Sequence, residues 1–245
     1  MVPGGPPVRG YSAEMLVWVA SFPRSGNTFL RIVLHRLYGV RTSTVYDIDG
    51  VAERVGAELI GYTERPGSLA DMRASDEPHF IKTHRQRDAE VNVDDRAICL
   101  VRDGRDALVS WARQSSEENP DGYRAALLEK VSNDATTGTG SWGNNVLSWL
   151  QPPSPHRITL RYEDLISDPR AAVTPVIASV APALVQNPDA VIPSLDELRR
   201  HDGRFFRRGR VGSHHDELPA EAHQLFWSRP DNQAAMTLLG YTPHP

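Results

Sequence analysis

The residues of this chain with the clearest chemical character lie in one loop, between a short apolar run and a helical pattern. Residues 16–20 are apolar and partly β-branched, which indicates a buried parallel strand, and from Thr28 onward apolar residues recur at helical spacing. A strand that turns directly into a helix points backbone N–H groups and the positive end of the helix dipole at one place. The loop adds a cation, hydroxyls, an amide and a glycine: Arg24, Ser25, Gly26, Asn27 and Thr28. It is therefore predicted to hold a phosphate-like anion.

This loop differs from the common ATP- and GTP-binding loop, because G-x-x-x-x-G-K-[ST] requires a lysine that the segment lacks. The pattern also fits a polar strand-to-helix turn in which Ser25 or Asn27 only caps the helix. The loop alone leaves both interpretations open.

Further apolar runs predict the elements that position this loop. The strand candidates are residues 16–20, 79–83, 97–101 and 157–162, and the helix candidates are residues 28–38, 104–114, 122–132, 142–150, 171–180 and 217–228. Strands that alternate with helices predict an α/β fold with a mostly parallel sheet and helices on both faces. Ligands of such sheets bind beyond the carboxyl ends of the strands. Arg24, His84, Arg102 and Tyr162 follow the four strands, so we expect them to meet at one edge.

The rest of the chain gives weaker signals. Residues 40–78 and 115–140 show little periodicity, and residues 182–216 indicate short helices and loop. Asp103 and Ser141 are predicted to cap the helices that follow them. Because no linker or repeat divides the chain, we expect a disordered tail over residues 1–12 and one domain over residues 13–245.

Composition excludes several classes of protein. The 245 residues carry a net charge of −4, which argues against nucleic acid as a partner. A single cysteine, Cys99, excludes an internal disulfide and favours a reducing compartment. No apolar run approaches the length of a membrane span, and the first ten residues do not resemble a signal peptide. We therefore expect a cytoplasmic protein without a membrane anchor.

Six segments, in order and approximate spacing, resemble the sulfotransferases that use 3′-phosphoadenosine 5′-phosphosulfate (PAPS). They are SFPRSGNTF (21–29), IKTH (81–84), LVRDGRDALVS (100–110), SWGNNVLSWL (141–150), RYEDL (161–165) and FFRRGRVG (205–212). Agreement at six places outweighs any single motif. The resemblance implies a three-layer, P-loop-like fold with about four to five strands, and PAPS as co-substrate with 3′-phosphoadenosine 5′-phosphate (PAP) as product.

The resemblance also implies which residues hold the donor. The 5′-phosphosulfate would lie on Arg24, Ser25, Gly26, Asn27 and Thr28. The 3′-phosphate would be bound by Arg102, Ser110, Arg207, Arg208 and Gly209, where arginine offers its planar fork of donors. Phe29 and Tyr162 would stack on the adenine. Three positions depart from the usual family pattern: arginine replaces lysine at 24, asparagine replaces threonine at 27, and Arg208 follows Arg207 where lysine is usual.

Catalysis by this family implies an in-line displacement that needs positioning, cations at the leaving oxygen and a base. His84 is the expected general base, since the ordinary pKa of imidazole, about 6.5, suits proton removal at neutral pH. Lys82, two residues earlier on the same strand face, would steady the sulfuryl or bridging oxygen. Arg24 would stabilise charge only, because arginine does not give up a proton at ordinary pH. No metal is expected.

The expected acceptor is a hydroxyl of a small molecule: a natural product, a glycolipid or oligosaccharide, or a phenol. Two other functions fit the same architecture, namely a nucleotide kinase or NTPase with a P-loop, and a protein that only binds nucleotide. The missing loop lysine argues against the first, and the presence of both Lys82 and His84 argues against the second. The dimerisation motif of the family is not recognisable in residues 217–245, so the sequence predicts no oligomeric state.

Overall fold

A computed structural model of the chain describes residues 16–207 and 209–241. The tail predicted over residues 1–12 lies outside the described residues, and the single domain over 13–245 stays a prediction. The described residues form one central sheet with helices around it. The strands are β1 (Leu16–Ser21), β2 (Thr42–Thr44), β3 (His79–Thr83), β4 (Arg96–Val101) and β5 (Arg157–Arg161).

The sheet has the order β2-β3-β1-β4-β5, and every neighbouring pair is parallel. This confirms the predicted α/β class with a central parallel sheet. The four predicted strands are found within a residue of their expected ends. The prediction missed β2, because its three polar residues lie in the stretch without periodicity.

The helices connect these strands. They are α1 (Asn27–Tyr38), α2 (Gly50–Val55), α3 (Ala57–Ile60), α4 (Leu69–Arg73), α5 (Gly104–Ser115), α6 (Tyr123–Ser132), α7 (Trp142–Leu150), α8 (Tyr162–Ser167), α9 (Pro169–Val180), α10 (Leu195–His201), α11 (His214–Glu217), α12 (Ala220–Ser228) and α13 (Pro230–Leu239). Asp103 and Ser141 cap α5 and α7 as predicted.

Two predicted elements need correction. The last predicted strand ends at Arg161, and Tyr162 instead begins α8. The helix predicted over 217–228 begins only at Ala220, as α12, because Glu217 ends α11 and Pro219 has no N–H to continue that helix. The prediction also missed α13, which begins at a proline that suits the first turn of a helix.

The side chains of β1 alternate between two apolar layers. Val17 and Val19 pack with α1 and α9, whereas Trp18 and Ala20 pack on the other face with Met72 of α4 and residues of α7. This alternation follows from the period of two along a strand, and it confirms three layers. In the described part of the chain, no helix combines the length and apolar character that a bilayer crossing requires.

The parallel register brings the carboxyl ends of the central strands to one edge. Ala20 pairs with Thr83, and Val101 pairs with Arg161. The next residues along β3, β4 and β5 are His84, Arg102 and Tyr162. The fold therefore places at one edge the polar residues that the sequence predicted to meet there.

Helix α7 approaches α13 so closely that only glycine fits at position 143. A Cβ on Gly143 would lie 2.5 Å from the backbone nitrogen of Asn232. Since backbone atoms cannot move aside, we expect Gly143→Ala to lower the free energy of unfolding by about 2 kcal/mol. Urea unfolding followed by tryptophan fluorescence measures the change.

Gly50 provides the matched control, because a Cβ added there meets no atom within 4 Å. Gly50→Ala lies in the first turn of α2 and should leave stability unchanged or raise it by up to about 1 kcal/mol. Equal destabilisation by the two alanines would show that the α7–α13 contact is looser than the structure indicates.

Candidate active site

A cleft of about 430 Å³ lies at the carboxyl edge of the sheet, between the start of α1 and the segment that follows α10. Its lining includes most of the residues that the sequence singled out: Arg24, Lys82, His84, Arg102, Ser110 and Tyr162. A cavity of this size, with convergent polar groups, is typical of a small-molecule site.

A larger groove of about 990 Å³ runs beside β5, along α9. None of Arg24, Lys82, His84 or Arg102 lines it. Because Arg24, Lys82 and His84, whose pKa values are lowered chiefly by burial, all line the smaller cleft, we place the candidate active site there.

The loop between β1 and α1 contains two residues with positive φ angles, and its backbone passes close to the ring of Tyr162. Arg24 and Gly26 have φ angles of 63° and 101°. A Cβ on Gly26 would lie 2.5 Å from the ring of Tyr162, so glycine is needed for space as well as for conformation. Gly26 is also the N-cap of α1 and no side chain caps this helix. The interpretation of Ser25 or Asn27 as a simple cap is therefore wrong.

The polar side chains of this loop point in different directions. Asn27 donates from Nδ2 to the carbonyl of Val19 and to Ser21 Oγ, which fastens the loop to β1. Ser25 Oγ is buried and has no hydrogen-bond partner in the described part of the chain, and Thr28 lines the cleft. A buried hydroxyl without a partner is costly unless a ligand satisfies it. Asn27 lines the cleft although its Nδ2 is used within the loop, whereas Ser25 is not among the lining residues, so phosphosulfate binding by the Ser25 hydroxyl stays a prediction.

His84 is held by the end of β1. Its Nδ1 lies 2.8 Å from the carbonyl oxygen of Ser21 and 3.2 Å from Ser21 Oγ. A carbonyl only accepts, so Nδ1 carries the proton and Nε2 is the unprotonated nitrogen of the neutral ring. This is the tautomer that a general base needs.

The basicity of His84 differs from the sequence-based expectation of 6.5. Burial, followed by the positive charge of Lys82, lowers the pKa of His84 to about 3. The imidazole is therefore neutral at physiological pH, but in the free protein it is a weak base. A negatively charged ligand in the cleft would oppose the effect of Lys82 and raise this pKa.

Lys82 is almost completely buried, with 7% of its surface exposed. Burial lowers the pKa of its ammonium group, whereas the nearby carboxylate of Asp49 raises it. Asp49 is itself buried and accepts a 2.6 Å hydrogen bond from Arg31. The sequence analysis missed this ion pair beside Lys82, because Arg31 and Asp49 belong to no chemical motif.

The side chain of Arg24 contacts Ser110 and Phe205. Its Nε donates to Ser110 Oγ over 3.3 Å, its Nη2 donates to the carbonyl of Phe205 over 2.8 Å, and its guanidinium stacks on the Phe205 ring. Burial and the charge of Arg102 lower the pKa of Arg24 to about 10. The Arg24 guanidinium thus lies beside the predicted 3′-phosphate ligands, and its role at the leaving oxygen stays a prediction.

Arg102 is fixed by the backbone of two loops. Its guanidinium donates to the carbonyls of Arg24 and Arg210 over 2.9 and 3.1 Å, and stacks on the ring of Tyr162. Its Nε is buried and lacks a partner in the residues described. Ser110 lies two turns into α5, as predicted, and lines the same cleft.

The late basic segment reaches the cleft through Arg207 and Gly209. Arg207 donates to both carboxylate oxygens of Glu217 over 3.0 and 3.1 Å, so a bound anion would have to share this arginine. Arg208 lies outside the described residues. Phosphate binding by this segment stays a prediction.

Aromatic side chains line the cleft on several sides. Phe29 and Tyr162 are both there, but the Tyr162 ring is already packed against Arg102 and Gly26. Trp111 and Phe205 also line the cleft, and the sequence analysis missed both. Their positions depend on how α5 and the segment after α10 pack, which no local pattern shows.

Comparison with known proteins shows to which family the chain belongs. The family model described as "Sulfotransferase domain" matches residues 15–178. The chain belongs to the sulfotransferase family. In the described residues, no group of three His, Cys, Asp or Glu side chains is placed to hold a metal ion.

Curated relatives of this sulfotransferase-family chain are distant. A WSCD family member of Drosophila pseudoobscura pseudoobscura is 26% identical over 63% of this chain and 47% of its own length. Rat sulfotransferase 1 family member D1 is 26% identical over 66% and 57%, and Arabidopsis thaliana cytosolic sulfotransferase 8 is 28% identical over 65% and 52%. The chain thus spans about half the length of the curated relatives it matches.

Solved structures share the fold. Mouse sulfotransferase SULT7A1, complexed with PAP, superposes with a TM-score of 0.60 at 18% identity, over 94% of this chain and 89% of its own. Retinol dehydratase with androsterone and PAP gives a TM-score of 0.56 at 16% identity, over 91% and 81%. At these identities the likeness establishes the P-loop-like sulfotransferase fold.

The low pKa of His84 yields a prediction about anion binding. In the free protein we expect the imidazole to titrate near pH 3. PAP bound in this cleft would bring negative charge close to the imidazole, so saturating PAP should raise the pKa of His84 by about 1 to 3 pH units. Imidazole NMR signals followed against pH, with and without PAP, measure the change.

The variant His84→Gln assigns the NMR signal of His84 and tests how protonation of His84 affects stability. Since the folded-state pKa lies below that of the unfolded chain, His84 binds a proton more readily after unfolding. The free energy of unfolding should therefore fall as the pH drops from about 6.5 toward 3, and the variant should lack that part of the fall. A free-protein pKa near 6.5, unmoved by PAP, would contradict the assigned environment.

Proposed function

We propose that this protein transfers the sulfuryl group of PAPS to a hydroxyl group of a small-molecule acceptor. The proposal rests on one observation: a candidate base and several cations line the same cleft. A neutral imidazole, with Nδ1 held by a carbonyl, lies beside a buried ammonium group, and both share the cleft with the cation Arg102. Base, cation and anion site are the parts that sulfuryl transfer requires.

The residues present fit a donor with two anionic ends. The loop after β1 offers backbone N–H groups at the start of α1 and the side chain of Thr28, which lines the cleft. Arg102 offers an Nε that has no partner among the described residues, and Ser110 and Arg207 line the cleft beside it. An ATP-binding loop does not need the second cationic group. We therefore assign the loop to the 5′-phosphosulfate and the Arg102 group to the 3′-phosphate.

His84 and Lys82 have complementary tasks in this proposal. Nε2 of His84 accepts the proton of the acceptor hydroxyl as that oxygen attacks sulfur. The ammonium of Lys82 donates to the bridging oxygen, on which negative charge builds as the bond from that oxygen to sulfur breaks. When the donor is bound, its negative charge raises the basicity of His84, so the base becomes effective in the complex.

Support for a hydroxyl acceptor comes from the fold relatives as well as from the imidazole. Two structures of retinol dehydratase hold PAP together with androsterone or retinol, which are small alcohols. We propose a small alcohol or phenol, a natural product, or a carbohydrate or lipid hydroxyl for this chain. A cytoplasmic location belongs to the same proposal, supported by the single buried cysteine, whose pKa burial raises to about 12.

The base assignment predicts a selective loss of transfer. His84→Ala should lower the rate of sulfuryl transfer at least about 100-fold, because it removes the proton acceptor, and should leave PAP affinity within about threefold. Labelled PAPS with a panel of phenols and alcohols measures transfer, and calorimetry with PAP measures binding.

His79 lies at the opposite end of the same strand and serves as the control. His79→Ala should transfer at the wild-type rate. If His84→Ala transferred as fast as the wild type while PAP still bound, another group would have to be the base.

The 3′-phosphate assignment predicts a selective loss of binding. Arg102→Ala should weaken PAP about 10- to 100-fold, the range expected for a hydrogen bond to a charged group, and should weaken AMP much less because AMP lacks the 3′-phosphate. Calorimetric titration of both nucleotides measures the two affinities.

Arg124 offers a matched arginine outside the cleft, since it is exposed and pairs at the surface with Glu221 of α12. Arg124→Ala should change neither affinity. Equal losses of PAP and AMP affinity in Arg102→Ala would reject Arg102 as the 3′-phosphate ligand.

A further inference from the structure

The chain that leaves β2 continues alongside the end of β3. Thr44 is the register partner of Lys82, and the backbone N–H of Val45 donates to the carbonyl of Lys82 over 3.2 Å. The N–H of Tyr46 then turns back to the hydroxyl of Thr44 over 3.4 Å. These contacts bring the side chain of Tyr46 to the residues that carry the proposed chemistry.

The hydroxyl of Tyr46 accepts a 2.8 Å hydrogen bond from the backbone N–H of His84. His84 is the first residue beyond β3, so its N–H is not part of the sheet ladder. A backbone N–H in a partly buried position needs a partner, and this one is a side chain. The bond therefore fixes the backbone from which the imidazole extends, while Ser21 fixes the ring itself.

The ring of Tyr46 contacts cations from the same strand end. Lys82 Nζ lies 5.1 Å from the ring centre, and the guanidinium carbon of Arg85 lies 5.6 Å from it. Both distances are within the range of cation–π attraction, which is stronger where water is excluded. Lys82 is buried, so the ring contributes to holding the ammonium charged and in place.

We propose that Tyr46 is a positioning residue for both members of the catalytic pair. Its hydroxyl fixes the backbone of His84 and its ring holds the ammonium of Lys82. The inference rests on the proposed function, because it assigns a role to residues that matter only if His84 and Lys82 act on the donor and acceptor. Tyr46 itself does not line the cleft that we assign to the nucleotide.

Two substitutions separate the hydroxyl from the ring. Tyr46→Phe retains the ring over Lys82 and removes only the partner of the His84 N–H. We expect kcat to fall about fivefold to tenfold, in line with the loss of one hydrogen bond, with the PAP affinity unchanged within about twofold. The amide of His84 should exchange with solvent at least about tenfold faster, as amide NMR measures directly.

Tyr46→Leu removes both contacts and should lower kcat further. Because the Lys82 ammonium loses the ring, its pKa should fall, and the alkaline limb of the pH–rate profile should move to lower pH. Tyr46→Phe should leave that limb in place. The measurements use the compound from the phenol and alcohol panel that the wild type sulfates fastest.

Tyr38→Phe is the control for removal of a tyrosine hydroxyl, since that hydroxyl bonds to Gln186 on another part of the chain. It should change neither kcat nor exchange of the His84 amide. Wild-type kcat and unchanged amide exchange in Tyr46→Phe would overturn the inference, as would an equal loss in Tyr38→Phe. A wild-type protein that neither binds PAP nor transfers sulfate rejects the proposed function instead, while exchange of the His84 amide still reports whether Tyr46 holds this strand end.

Discussion

The structure concentrates positive charge in a partly buried cleft, and the surrounding groups are arranged to hold it there. Arg24, Lys82, Arg102 and Arg207 all line this one cavity. Like charges repel more strongly where water is displaced by protein, and burial already disfavours each charge. Both effects lower the pKa of Arg24, through burial and the charges of Arg102 and Arg207, whereas the pKa of Lys82 is lowered chiefly by burial. An anion that binds in the cleft removes this repulsion. The free energy that the repulsion costs the free protein therefore adds to the affinity for an anionic ligand.

Each cation is held by groups that neutralise it only in part. Arg102 donates to two carbonyls, Arg207 pairs with Glu217, and Lys82 lies near the carboxylate of Asp49. Two carbonyl oxygens orient the Arg102 guanidinium, and the buried carboxylate of Asp106, 3.9 Å from Arg102 Nη2, balances only part of its charge, so Arg102 remains able to attract phosphate. Burial and nearby positive charge also explain the low pKa of His84. The pKa of His84 is low in the free protein, and a bound anion would raise it. His84 would then be basic enough to accept a proton when the donor is bound. Catalytic readiness would then depend on donor binding.

Much of the framework follows from periodicity and from the short motifs. The apolar runs identified four of the five strands, and parallel topology then required Arg24, His84, Arg102 and Tyr162 to share an edge. What could not be predicted depends on long-range packing. Asp49, the N-cap of α2, pairs with Arg31 of α1 and lies near enough to Lys82 to raise its pKa, and Asn145 of α7 donates to the carbonyl of His84 from 61 residues away. The pKa of His84 could not be predicted from the sequence either, since burial is the largest cause of its departure from the ordinary value.

Arg24 connects the two anion sites more closely than its motif suggests. Its carbonyl accepts from Arg102 over 2.9 Å, and its side chain donates to Ser110. The loop and the cation that we assign to the two ends of the ligand are therefore joined by a hydrogen bond from the Arg102 side chain to the Arg24 carbonyl, which limits how far apart they can lie. Such a limited spacing favours a ligand whose two anionic groups lie at opposite sides of one nucleoside. Under the proposed assignment, a nucleotide with phosphate at the 5′ position alone would satisfy the loop but leave the Arg102 group without its anion, and discrimination against it would follow from the repulsion between Arg24 and Arg102, which after burial contributes most to lowering the pKa of Arg24.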